Sequence, residues 1–76
     1  MSKRLPAMTA RKLVRFLRKQ GFVEIRQRGS HLTLKRESDG RTVTVPIHTG
    51  QDIGKGLLKK ILTDAGYTIE EFNRLR

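Results

Sequence analysis

The sequence has 76 residues, of which 17 are Lys or Arg and 7 are Asp or Glu, so its net charge is +10. This length suffices for one domain with a small core, since so short a chain buries only about 60% of the surface exposed on unfolding. The absence of cysteine excludes disulfides and thiolate metal sites, and no apolar run approaches the roughly 20 residues of a membrane span. No apolar signal region follows the basic N-terminus. We therefore expect a cytoplasmic protein in which residues 1–76 form one domain, with residues 1–7 flexible.

The positive charge is concentrated in the first half of the chain. Residues 1–36 carry eleven basic residues and one acidic residue, whereas residues 37–76 carry six of each. Such a surface attracts polyanions, and a pI of about 11.2 is typical of nucleic-acid-binding domains. The charge therefore favours a nucleic acid as partner; a charge that serves only solubility, or an anionic lipid surface, is the alternative.

The first predicted element is an amphipathic helix that Thr9 caps and Gly21 ends. At helical spacing its apolar face comprises Ala10, Leu13, Val14, Phe16 and Leu17, and its basic face comprises Arg11, Lys12, Arg15, Arg18 and Lys19. An ordinary solvated face mixes charges of both signs, so five bases without an acid favour contact with phosphates.

Three strands follow the first helix. Residues 22–27 alternate so that Val23 and Ile25 are expected to point into the core and Glu24 and Arg26 away from it. After a turn at residues 28–30, the strand at residues 31–36 places Leu32 and Leu34 on one face. An Asp-Gly hairpin signal at residues 39–40 precedes the third strand at residues 41–45, which ends at Pro46.

The second half of the chain predicts two further helices. After a connection over residues 47–54, in which Asp52 is a possible cap, a helix that begins near Ile53 and ends at Gly66 is expected. Its apolar stripe comprises Leu57, Leu58, Ile61, Leu62 and Ala65. Thr68 and Glu71 match a capping box that opens a short terminal helix, anchored by Phe72.

This order predicts an α+β domain of the type αβββα, followed by a short helix. Apolar faces on two helices and on a three-stranded antiparallel sheet must cover one another, so both helices are expected to pack on one face of the sheet. The other face of the sheet is then open to solvent. Its expected residues are His31, Thr33, Lys35, Thr42 and Thr44.

Residues 28–31 form the strongest candidate for chemistry. Gly29 and Ser30 permit a sharp turn whose backbone N–H groups can bind an anion, and Arg28 adds a forked donor suited to phosphate. His31 follows on the open face, and an imidazole changes its protonation near neutral pH, so it can move a proton. A polar surface histidine without a catalytic role is the alternative.

No other constellation points to an enzyme. His31 and His48 lie 17 positions apart without flanking ligands, so we expect no metal site and no cofactor. A second acid or base is not evident, although His48 is possible. RNA cleavage suits these parts because RNA carries its own nucleophile, the 2′-OH, and this chemistry needs proton transfer and phosphate stabilisation but no metal.

The chain resembles the HicA family of small prokaryotic toxins, which belong to the mRNA interferase class. The resemblance lies in five segments and in their order along the chain: residues 19–22, 27–31, 45–48, 55–62 and 65–72. The resemblance implies a fold like that of the double-stranded-RNA-binding domain. It further implies that His31, in the Gly29-Ser30-His31 motif, is catalytic, that mRNA is cleaved, and that a HicB-type antitoxin covers the active site.

The leading functional hypothesis is a metal-independent endoribonuclease toxin with His31 as general acid or base. Beside it, RNA contacts are assigned to Arg28, Gly29, Ser30, Arg11, Lys12, Arg15, Arg18, Lys19, Arg26 and Lys35. The alternatives are a non-catalytic module that binds double-stranded RNA and, less favoured, a membrane-surface or protein-interaction module built on the basic helix.

Overall fold

The computed structural model describes residues 4–76, which contain three helices and two antiparallel sheets. The helices are α1 (Ala10–Lys19), α2 (Lys55–Ala65) and α3 (Ile69–Leu75). The strands are β1 (Met8–Thr9), β2 (Phe22–Arg28), β3 (His31–Arg36), β4 (Thr42–Pro46) and β5 (Asp52–Ile53). None of the helices within this part of the chain is long and apolar enough to cross a membrane.

Helix α1 has the boundaries and faces that its sequence predicts. The hydroxyl of Thr9 accepts a hydrogen bond from the backbone N–H of Lys12 at 3.2 Å, which satisfies one of the unpaired donors of the first turn. Gly21 ends the helix with a φ of +97°, a conformation that glycine adopts without steric cost. All five residues of the apolar face are buried, and all five bases are exposed.

Strands β2, β3 and β4 form an antiparallel sheet in that order. The core residues that β3 and β4 contribute to its inner face, which α1 and α2 cover, are Leu32, Leu34, Val43 and Val45. The opposite face, called the open face below, carries His31, Thr33, Lys35, Thr42 and Thr44 as predicted. The predicted α+β architecture, with helices on one side of a three-stranded sheet, is confirmed.

The predicted facing of β2 is wrong for Val23 and Ile25, although Arg26 points away from the core as predicted. Val23 and Ile25 are 51% and 50% exposed, whereas Phe22 is the buried residue of this strand. The register explains the difference, because Val23 lies opposite Lys35 of the open face, and a bulge then inserts one extra residue between Glu24 and Arg26. Simple alternation along the strand therefore does not hold across this position.

A second, two-stranded sheet joins the start of the chain to the connection before α2. Met8 pairs with Ile53 and Thr9 with Asp52. The sequence interpretation missed this pairing, because two-residue strands have no periodicity. The possible cap at Asp52 is wrong, since Asp52 belongs to β5 and the N-cap of α2 is Gly54, which makes no side-chain hydrogen bond.

Helix α2 buries Leu58, Ile61, Leu62 and Ala65 as predicted, but Leu57 is 41% exposed, so its place in the apolar stripe is wrong. Helix α3 begins with the predicted capping box, in which Glu71 N donates to Thr68 Oγ1 at 3.0 Å and Thr68 N donates to Glu71 Oε1 at 2.9 Å. This capping box makes the start of α3 readable from the sequence alone.

Aromatic rings and the N-terminal segment complete the core. The ring of Phe16 makes edge-to-face contacts with Tyr67 and Phe72, at centroid distances of 5.4 and 4.8 Å. Leu5 is buried in the same core, and the Asn73 side-chain amide donates to the carbonyl of Arg4 at 2.9 Å. Of the segment predicted to be flexible, residues 1–3 lie outside the described residues.

Arg36 at the end of β3 is a structural cross-link. Its guanidinium donates to both carboxylate oxygens of Asp39, at 2.8 and 3.2 Å, and to the hydroxyl of Tyr67 at 2.7 Å. It also donates to the carbonyls of Gln20 and Ala65, and so ties the ends of α1 and α2 to the β3–β4 hairpin. The hydrogen bond from Arg36 lowers the pKa of Asp39 from 3.8 to about 2, and the pKa of Arg36 is correspondingly raised.

Candidate active site

His31 is the first residue of β3 and is exposed on the open face. Its register partners are Arg28 on β2 and Pro46 on β4. Side chains directly opposite one another in an antiparallel pair lie on the same face, with Cβ atoms about 4.5–5.5 Å apart. The side chain of His31 therefore starts next to that of Arg28, on the face of the sheet away from the apolar core.

The turn before His31 is held from both sides. Gly29 has a φ of +56°, which the first position of a two-residue hairpin loop favours. The side-chain amide of Gln27 donates to the Gly29 carbonyl at 3.1 Å, and Ile47 N donates to the Ser30 carbonyl at 2.6 Å. These bonds fix the backbone from which His31 projects.

Alternation along the last residues of β2 places a second arginine on the same face. Arg26 lies opposite Thr33, just as Arg28 lies opposite His31, so both arginines share the open face. Lys35 also lies on this face. Between them, the hydroxyls of Thr33 and Thr44 are hydrogen bonded at 3.3 Å. The open face thus presents Arg28 directly opposite His31, and Arg26 and Thr33 two positions further along the sheet, as groups that can hold a phosphate.

The predicted RNA-binding residues divide into two groups. Arg26, Arg28 and Lys35 share the open face with His31. The five bases of α1 lie in the helical layer on the other side of the sheet. None of the open-face bases has an ion-pair partner among residues 4–76.

Four of the five basic residues of α1 border a groove of about 950 Å³ between the helix and β2, whereas Lys12 does not line it. This α1 groove is lined by Arg11 and Arg15 of α1, by Glu24 and Gln27 of β2, and by the loop at residues 47–50. His31 and Arg28 are not among its lining residues, whereas His48 is. The two histidines therefore belong to different surfaces, and a role for His48 as the second proton-transfer group is not favoured by the geometry.

The sequence interpretation missed the contribution of Gln27. Its side chain lines the α1 groove and also bonds the turn that carries His31, so it connects the two surfaces. No sequence signal identifies it, because a single glutamine at the end of a strand belongs to no binding motif. Within residues 4–76, no three His, Asp or Glu side chains are grouped closely enough to hold a metal ion.

Comparison with protein-family models shows which family the chain belongs to. A family model described as the HicA toxin of bacterial toxin-antitoxin systems matches residues 10–67, from the start of α1 to Tyr67. The matched segment contains His31, the open face and every lining residue of the α1 groove except Thr9. A comparison with curated proteins found no match. Since the family model covers more than half of the chain, the protein belongs to the HicA family of toxins of bacterial toxin–antitoxin systems.

Proposed function

We propose that this toxin is a metal-independent endoribonuclease that cleaves mRNA, with His31 as general acid or base. The observation that carries the proposal is the exposed imidazole directly opposite Arg28, on a sheet face that also presents Arg26 and Lys35. Family membership adds to it, because a toxin must act on an essential component of its own cell. The antitoxin partner of the system is proposed to be of the HicB type, and both act in the cytoplasm, where mRNA is translated.

The chemistry uses the 2′-OH of the RNA as nucleophile. The 2′ oxygen forms a bond to the adjacent phosphorus and loses its proton, while the bond from phosphorus to the 5′ oxygen breaks and that oxygen gains a proton. The products are a 2′,3′-cyclic phosphate and a 5′-hydroxyl. His31 carries one of the two proton transfers, and Arg28 stabilises the charge on the phosphoryl oxygens with its forked donors.

RNA cleavage by wild-type protein and by His31→Ala, both in the presence of a chelator, tests this proposal. We expect the variant to lose about 100- to 10,000-fold in rate, the contribution typical of a general acid or base. Thr63→Ala, an exposed change on α2 outside both surfaces, is the matched control and should cleave at the wild-type rate. Equal cleavage by wild type and His31→Ala would contradict the role of His31.

A non-catalytic module that binds double-stranded RNA is the second candidate. One observation favours it: the basic residues of α1 lie in a different layer from His31. If all basic residues served one catalytic centre, they would be expected on the same face as His31. This function predicts salt-sensitive binding that His31→Ala barely changes and no strand scission. Recovery of a 2′,3′-cyclic phosphate product would exclude it.

A further inference from the structure

We propose that the α1 groove is a second RNA site, which holds unpaired nucleotides next to the bond cut at His31, and that the substrate is therefore single-stranded on at least one side of that bond. The inference rests on the proposed ribonuclease function. Three features of the groove carry it: its uncompensated charge, its mixed lining, and its position across the β2 edge from His31.

The charge of the groove is largely uncompensated. Arg18 lies 3.6 Å from Glu24, but Arg11, Arg15 and Lys19 have no ion-pair partner within the described residues. All three are exposed, so their charges are available to a ligand. A row of cations along one helix suits the repeating phosphates of a nucleic acid strand better than it suits a single small anion.

The lining of the groove is mixed. Below the basic rim lie the apolar side chains of Val14, Leu32 and Ile47, with the polar groups of Gln27 and His48 beside them. Unpaired nucleobases can enter such a space, stack on the His48 ring or on an arginine guanidinium and use their polar edges, whereas the nucleobases of a duplex are turned inward. A volume of about 950 Å³ is ample for a nucleotide.

The groove and the open face meet at the edge of the sheet. β2 is an edge strand, and its successive side chains point to alternate faces of the sheet. Arg28 shares the open face with its pairing partner His31, whereas its neighbour Gln27 points to the other side and lines the groove. A strand that passes over β2 at this point contacts both surfaces. To follow both surfaces, the strand must bend sharply around the edge of the sheet. A duplex resists such a bend because it is stiff over lengths far greater than this domain, with a persistence length of about 50 nm for DNA.

The test measures RNA binding in the His31→Ala background, in which the substrate stays intact. The probe is a labelled RNA of roughly 12 nucleotides, within the site sizes known for single-strand-binding folds, used alone or annealed to its complement. Arg11→Gln/Arg15→Gln is compared with Lys55→Gln/Lys59→Gln, which removes the same charge from exposed positions of α2 outside the groove.

We expect the groove pair to weaken binding of the single strand and to reduce its salt slope by about 1.4, since each lost phosphate contact on a single strand is worth about 0.7. The α2 pair should leave the slope unchanged, and the duplex should bind more weakly than the single strand. In protein that retains His31, the groove pair should raise KM and leave kcat unchanged.

Equal effects of the two pairs, or duplex binding as tight as that of the single strand, would overturn the proposal. So would competition by poly-glutamate at concentrations similar to RNA, since the groove would then be a site for acidic protein. Failure of the unmodified protein to cleave any RNA would contradict the proposed function, while these binding comparisons would still decide the role of the groove.

Discussion

Arg28 and Arg36 are arginines of the same sheet in different surroundings. Arg28 is exposed, has no ion-pair partner among residues 4–76 and stands beside His31. The Arg36 side chain is only 17% exposed, and its guanidinium lies 4.6 Å from the ring centre of Phe22 while bonding four other residues. The first is therefore available to a phosphate, and the second holds the fold.

The ion pair of Arg36 with Asp39 gives a prediction at this scale. Because the folded-state pKa of Asp39 is lowered from 3.8 to about 2, its contribution to stability is present above about pH 4 and is lost as the pH falls toward 2. Asp39→Asn should therefore destabilise the protein at about pH 5 and make little difference at about pH 2, as measured by urea unfolding.

The control for this experiment is Glu70→Gln, a change to an exposed carboxylate without a hydrogen bond in the described part of the chain. The difference in unfolding free energy between this variant and the wild type should vary much less with pH. Glu71, like Asp39, contributes stability that is lost as the pH falls, because its hydrogen bond from the Thr68 backbone lowers its pKa. A constant effect of Asp39→Asn across this pH range would contradict the prediction.

At the scale of elements, the bulge in β2 decides which face of the strand is buried. Val23 is 51% exposed on the open face, whereas Val45 of β4 is completely buried. Replacing each valine by threonine distinguishes the two environments, because the threonine hydroxyl is solvated at an exposed position but loses its water in the core. We expect Val45→Thr to cost about 1–3 kcal/mol and Val23→Thr to change stability by less than about 0.5 kcal/mol.

Denaturant unfolding of both variants measures this difference. If Val23 were a core residue, as alternation along β2 predicts, its substitution would cost as much as that of Val45, and the bulge register would be contradicted.

Helix α2 offers a second element-scale prediction, in which one substitution has opposite effects at two glycines. Gly66 ends the helix with a φ of +94°, and an added Cβ would lie 2.9 Å from Nε of Arg41. Gly56 lies within the helix, and an added Cβ there would meet no atom within 4 Å. We expect Gly66→Ala to destabilise the protein by about 1–2 kcal/mol and Gly56→Ala to stabilise it by up to about 1 kcal/mol.

Thermal unfolding of the two variants provides the comparison. A Gly66→Ala variant that is as stable as the wild type would contradict the left-handed end of α2, and a destabilised Gly56→Ala variant would contradict the free space at Gly56.

The whole molecule has two cationic surfaces, one on each side of its sheet. A net charge of +10 on 76 residues repels itself in the folded state, and this repulsion acts over about 30 Å at 0.01 M salt but about 8 Å at 0.15 M. The unfolding temperature should therefore rise with salt; a gain of about 1 kcal/mol corresponds to about 4–8 °C in a domain of this size.

Arg11→Gln/Arg15→Gln supplies the comparison, because it removes two charges from the densest basic cluster. This variant should unfold at a higher temperature than the wild type at low salt, and its unfolding temperature should rise less as salt is added. An unfolding temperature that falls with added salt would indicate that favourable ion pairs, such as those around Asp39, outweigh the repulsion.

Much of the fold follows from local sequence signals. The sequence alone determined the caps at Thr9 and Thr68, the turns at glycine and the amphipathic pattern of α1. Each of these features depends only on residues a few positions apart. The concentration of charge in residues 1–36 and the exposure of His31 after its turn were also predictable, since they depend on composition and on strand alternation over a short, regular β3.

The tertiary structure decided what depends on distant partners. The bulge at Ile25 is set by pairing with β3, the β1–β5 sheet joins residues more than forty positions apart, and Arg36 gathers groups from four segments. The packing of α1 beside β2 also forms the α1 groove and places Gln27 where its side chain reaches both surfaces. No local pattern encodes such an arrangement, because it arises only when the helix and the sheet edge pack against each other.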